Sequence, residues 1–92
     1  MKAVHLIVHG KVQGVALRDF AVAFAKELGI TGYIGNREDG TVEAYAEGTD
    51  ASLREFVRRI REDHPYARIR NVEEVWGEAS GGYRGFEKRR NL

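Results

Sequence analysis

From Ala3 to Val8 the chain alternates two faces, with Val4, Leu6 and Val8 on one and His5, Ile7 and His9 on the other. A period of two carried by β-branched residues predicts a strand. Gly10 to Gly14 breaks that period. Beyond it Leu17, Phe20, Ala21, Phe24, Ala25 and Leu28 recur every third or fourth residue, forming one stripe along an α-helix. Gly29 follows where a left-handed residue ends a helix. Two more strands are predicted over Tyr33 to Arg37 and Thr41 to Glu47. Between them lie Glu38, Asp39 and Gly40, and the Asp-Gly pair suits a hairpin because glycine accepts the positive φ of such turns. Val42, Ala44 and Ala46 then face one side, and Glu43, Tyr45 and Glu47 the other.

A second helix shows in Leu53, Phe56, Val57 and Ile60, with Thr49 or Asp50 able to cap it and Pro65 beyond its end. A strand over Ile69 to Trp76, a glycine-rich loop at Ser80 to Gly82 and a short extended piece over Gly85 to Lys88 complete the chain. The order βαββαβ predicts an α+β fold, the ferredoxin-like split β-α-β plait, an antiparallel sheet with two helices packed on one face. The first and third strands are expected in its centre. The opposite face is expected open to solvent, bearing His5, Ile7, His9, Glu43, Tyr45 and Glu47.

Composition narrows the function. At 92 residues the chain supports one core, so residues 1–92 are expected to form a single domain. It holds no cysteine, which removes disulfides, thiol catalysis and zinc knuckles together. Its longest apolar run, Phe20 to Ala25, is far below the ~20 residues of a membrane span. Histidines interrupt the apolar start, no cleavage pattern follows it, and the expected compartment is the cytoplasm. Fifteen Lys and Arg against 14 Asp and Glu leave a charge of +1, without the basic excess of a nucleic-acid binder.

Two places could carry chemistry. Gly10 and Gly14 bracket Lys11, Val12 and Gln13 just before a helix that starts near Arg18. Glycine there lets consecutive N–H groups turn inward as a nest for an anion, at the positive end of the helix dipole. Arg18 adds a planar fork that matches two phosphate oxygens. The loop fits neither a Walker A sequence nor G-x-G-x-x-G, and a plain tight turn beside a solvated arginine is the commoner case for such a segment. Asn36, ending the second strand, could bond to the turn backbone, or its amide could hold a water molecule. His5, His9 and His64 lack the spacing of a metal site, and none is expected. Arg54, Arg58 and Arg61 share a helical face, but Glu55 and Glu62 interleave them as on a solvated surface. The open sheet face, with Glu43 and Glu47 outward, lacks the basic and aromatic surface of an RNA-recognition module. A plait that binds an anion without turning it over remains an alternative.

Residues Gly10 to Arg18, GKVQGVALR, resemble the acylphosphatase signature G-x-V-Q-G-V-x-F/Y-R. Residues Gly32 to Glu43, GYIGNREDGTVE, resemble the same family's second signature, G-W/Y-V-x-N-x-x-D-G-x-V-E. Ala46-Glu47-Gly48 and Gly85-Phe86-Glu87 also fit, and the resemblance runs nearly end to end. Leu17 departs from it, standing where the family has Phe or Tyr at a packing position. The resemblance implies hydrolysis of an acyl phosphate to a carboxylate and inorganic phosphate, without cofactor or metal. It implies that Arg18 binds the phosphate, that Asn36 orients the attacking water, and that backbone amides of Gln13, Gly14, Val15, Ala16, Leu17 and Arg18 form the cradle. A small acyl phosphate is the implied partner, with inorganic phosphate as product and competing ligand. A monomer with no nucleic-acid or membrane partner is expected.

Overall fold

The chain runs β1 (Lys2–Lys11), α1 (Leu17–Leu28), β2 (Thr31–Asn36), β3 (Val42–Gly48), α2 (Asp50–Glu62), β4 (Arg68–Glu78) and β5 (Phe86–Asn91). These elements come from a computed structural model, which describes residues 1–64 and 67–92. Pro65, expected to stop the second helix, falls outside the described residues. The elements pair into one sheet of order β4-β1-β3-β2-β5, so β1 and β3 are central among the first four strands, as the pattern predicts.

The alternation of β1 reappears as burial. Val4, Leu6 and Val8 are fully buried, and Val42, Ala44 and Ala46 of β3 join them beneath the helices. Leu17, Ala21 and Ala25 carry α1 onto this face, while Leu53, Phe56 and Ile60 carry α2. A buried Phe is worth about 3–5 kcal/mol over Ala, so such residues dominate stability. Phe24 packs at the margin of this core and Phe20 lies beside it, ring centroids 6.2 Å apart, so these two members of the stripe are only partly buried. Gly29 ends α1 with φ 68°. Thr49 supplies the cap of α2, its hydroxyl accepting from the Ser52 N–H at 3.1 Å. The arginines of α2 are each paired: Arg54 with Asp50, Arg58 with Glu55, Arg59 with Glu27 and Glu55, and Arg61 with Glu74.

Two features depart from the sequence reading. The final extended piece is a full strand, and it pairs parallel to β2, which makes the sheet mixed. The direction follows from the pairing: the chain leaves β4 antiparallel to β1, turns back, and joins the edge at β2, which runs the same way as β1. The second face of the sheet is also only partly open. Residues 79–83 fold over it, and Glu47 is 5% exposed where a solvent-facing glutamate was expected. Its carboxylate accepts from the Tyr45 hydroxyl, the Ser80 N–H and hydroxyl, and the Gly81 N–H. Tyr83 closes over Tyr45 and Tyr33, with centroids at 5.4 and 6.1 Å.

Candidate active site

The end of β1 is shaped by close approach. Gly10 adopts φ 131°, and a Cβ there would lie 2.1 Å from the Arg68 carbonyl oxygen. Val12, 2% exposed, anchors the following loop in the core. Gly14 (φ 71°) and Ala16 (φ 61°) are then both left-handed, with Val15 between them. Ala16 is the only non-glycine residue with positive φ among the described residues, a conformation that costs about 1–2 kcal/mol. Such alternation turns successive N–H groups to one side. Ala16 is also the residue that opens α1, and no side chain caps that helix start. Among the described residues, the N–H groups from Gln13 to Arg18 meet no protein acceptor. A row of free donors at a helix N-terminus is a seat for an oxyanion.

Gln13 ties this seat to the hairpin. Its Nε2 donates to the Arg37 carbonyl at 2.8 Å and the Thr41 carbonyl at 2.9 Å, spanning the base of the turn after Asn36. The turn itself is held by Asp39, which accepts from the Thr41 N–H and hydroxyl, and by Gly40 at φ 89°. Asn36 therefore ends its strand beside the loop. Its side-chain Oδ1 is buried and meets no partner. Arg18 follows in the first turn of α1, donating from Nη1 to the Arg89 carbonyl at 2.7 Å. Leu17, 1% exposed, packs into the core as the motif position requires. Val15 packs at the core's margin, whereas Gly14 and Ala16 face solvent.

The electrostatics favour an anion at this seat. Asp19 would compete for Arg18, but Lys88 draws it away at 2.7 Å and holds its carboxyl below the usual range. Among the described residues no carboxylate lies within ion-pair distance of Arg18. An open cavity of about 300 Å³ lies beside the hairpin, lined by Arg37, Glu38, Asp39, Glu43 and Leu92. Three carboxylates against one guanidinium make it a poor phosphate site, and neither Arg18 nor Asn36 lines it. The sheet-face histidines are occupied elsewhere, His5 with Glu43 at 3.1 Å and His9 with Glu73.

Gln13 thus joins the loop to the hairpin, and the chain at Arg89 and Leu92 meets Arg18 and Asn36. Residues 4–88 match the family model for acylphosphatases. The chain belongs to the acylphosphatase family. Acylphosphatases of Caldanaerobacter subterraneus subsp. tengcongensis and Rubrobacter xylanophilus are 47% and 46% identical to it, over 92% and 96% of this chain. Those alignments cover 94% and 80% of the relatives. The crystal structure of acylphosphatase from Bacillus subtilis superposes with a TM-score of 0.92 at 30% identity, covering 97% of this chain and 99% of that one. The chain is thereby an enzyme, an acylphosphatase with a ferredoxin-like fold. Two elements of this candidate site were not legible in the acylphosphatase motifs. The Gln13 carboxamide, expected to contribute only its backbone amide, is the bridge between loop and hairpin. The backbone at Arg89 and Leu92, which meets Arg18 and Asn36, lies beyond the Gly85-Phe86-Glu87 match and has no motif signal.

Proposed function

We propose that this chain hydrolyses the carboxyl–phosphate bond of small acyl phosphates by in-line attack of one water on phosphorus. The N–H groups from Gln13 to Arg18 and the Arg18 guanidinium hold the phosphoryl oxygens. Asn36 orients the water through its side-chain amide. The Gln13 bridge carries this reading: it ties the loop with the free donors to the turn that follows Asn36, whose side-chain Oδ1 is buried without a partner among the described residues.

The chemistry asks little more of the protein. The leaving carboxylate has a conjugate acid of pKa about 4, so it departs without a proton donor. A loose phosphoryl transition state needs little nucleophilic push, so a positioned water suffices without a strong base. Donors fixed around the equatorial oxygens then supply the stabilisation, and each is worth about 3 kcal/mol. No metal or cofactor enters the proposed cycle. One chain is the working unit, in the cytoplasm, with inorganic phosphate as product and competing ligand and no nucleic-acid or membrane partner.

The test is turnover of benzoyl phosphate by purified protein in excess EDTA, followed by the loss of its ultraviolet absorbance. Hydrolysis with competitive inhibition by inorganic phosphate is expected, and Arg18→Ala should lower kcat/KM by about 10²–10³. Phosphate binding without turnover would replace the enzyme by an anion-binding module.

A further inference from the structure

One strand touches both proposed catalytic residues. The Arg89 carbonyl accepts from Arg18 Nη1 at 2.7 Å, and three residues on, the Leu92 N–H donates to the Asn36 carbonyl at 2.9 Å. Between these contacts the β2–β5 register breaks, Gly35 facing Arg89 and Asn36 facing Asn91, so that Arg90 is the extra residue of a bulge. A bulge interrupts the ladder and re-aims backbone groups. Here it accompanies an Arg89 carbonyl turned to Arg18 and a Leu92 N–H that reaches Asn36.

The rest of β5 is fastened to the body of the molecule. Phe86 meets Phe56 edge-on at 5.6 Å, Lys88 pairs with Asp19, and the Arg89 guanidinium lies 4.3 Å over the Tyr33 ring. Beneath the end of the strand is Gly35, whose φ is not positive, so its backbone does not call for glycine. Contact does. A Cβ there would lie 2.7 Å from Leu92 Cγ and 3.2 Å from Arg89 Cβ. The missing side chain admits both residues that hold the catalytic pair.

We infer that Gly35 and Leu92 are positioning residues, through which the bulged end of β5 sets the placement of Asn36 and Arg18. This rests on the mechanism proposed above. The Arg18 fork has five N–H donors, and spending one on a fixed carbonyl orients the remainder without occupying them. The Leu92 bond fixes the backbone that carries the Asn36 amide. Misplacement of a reacting group by about 1 Å can cost up to 10²-fold in rate, so two such restraints matter kinetically even where they contribute little to stability.

The experiment compares Leu92→Pro, which deletes the N–H, with Leu92→Ala, which keeps it. Leu92→Pro should lower kcat for benzoyl phosphate by about tenfold while the phosphate inhibition constant stays within about twofold, and Leu92→Ala should stay within about threefold of wild-type kcat. Gly35→Ala, a second route that does not remove the donor, should also lower kcat by about tenfold, and adding Leu92→Ala should restore most of it by relieving the contact. Wild-type kcat in Leu92→Pro, or no rescue in the double variant, would overturn the inference. So would a parallel fall of kcat, phosphate affinity and melting temperature, the mark of a merely structural strand. A wild-type protein without turnover would instead remove the mechanism, and this inference with it.

Discussion

Asn36 carries two polar ends on its side chain, and one of them, Oδ1, is buried without a partner. An unsatisfied buried acceptor costs about 1–3 kcal/mol, a penalty that a packing residue would not keep. Ala16 shows the same economy a few residues away, holding φ 61° without being glycine. Strain and unpaired groups concentrate where a site must be ready before its ligand arrives. This gives Asn36→Ala a double signature. Turnover should fall by about 10²–10³, as for loss of a positioned donor, while the melting temperature stays level or rises. Calorimetry on the variant checks it. Destabilisation by more than about 2 kcal/mol would make Asn36 a structural residue of the hairpin.

At the scale of elements, the pattern was legible wherever one short segment decided the outcome. The α1 stripe, the Gly29 stop, the Thr49 cap and the Asp39-Gly40 turn are local, and each appears where the residues place it. What escaped depends on partners far along the chain. Gln13 reaches carbonyls 24 and 28 residues away, and Arg18 meets a carbonyl 71 residues away. The partner strand of β5 is likewise fixed only when the sheet assembles. The two motifs named the site residues but not what holds them together. Gln13 tests how much that holding matters. Gln13→Glu replaces two donated hydrogen bonds by a carboxylate facing two carbonyl oxygens, so it should do more harm than Gln13→Ala. Truncation is expected to cost about 1–2 kcal/mol and the charge more, with activity falling in the same order. Urea unfolding of both variants distinguishes this from a surface glutamine, for which the two substitutions would be alike.

Across the whole molecule, the buried carboxylate of Glu47 joins β3 to the loop that covers the far face of the sheet. Hydrogen bonds from the Tyr45 hydroxyl and from Ser80 and Gly81 outweigh burial and hold it below the ordinary value of 4.5. Burial pushes Glu43 upward, but hydrogen bonds from His5 and Tyr33 prevail and lower it too. A carboxyl with a depressed folded pKa contributes stability that is complete above its unfolded pKa and is lost as pH falls through the folded one. The protein should therefore lose stability below about pH 4.5. Exposed pairs such as Glu55 with Arg58 and Arg59, where Glu55 is lowered to about 2, titrate in the same region. Salt separates the two sources, since roughly 0.5 M sodium chloride screens exposed pairs and leaves enclosed ones nearly intact. At that salt, Glu47→Gln should be about 1–3 kcal/mol less stable than wild type at pH 7, and the gap should close as pH falls towards 3. Urea midpoints across this range measure it; a gap that is the same at pH 3 and pH 7 would place the acid sensitivity elsewhere. The alkaline limb draws on Tyr33 and on Tyr45, which its hydrogen bond to Glu47 also raises. Burial, with the neighbouring Glu43, raises Tyr33 from 10.0 to about 12, so its contribution is complete below 10.0 and is lost as pH rises through 12. Tyr33→Phe removes that ionisable group and should make the alkaline limb shallower, while loss of its hydrogen bond to Glu43 should also weaken the acid limb.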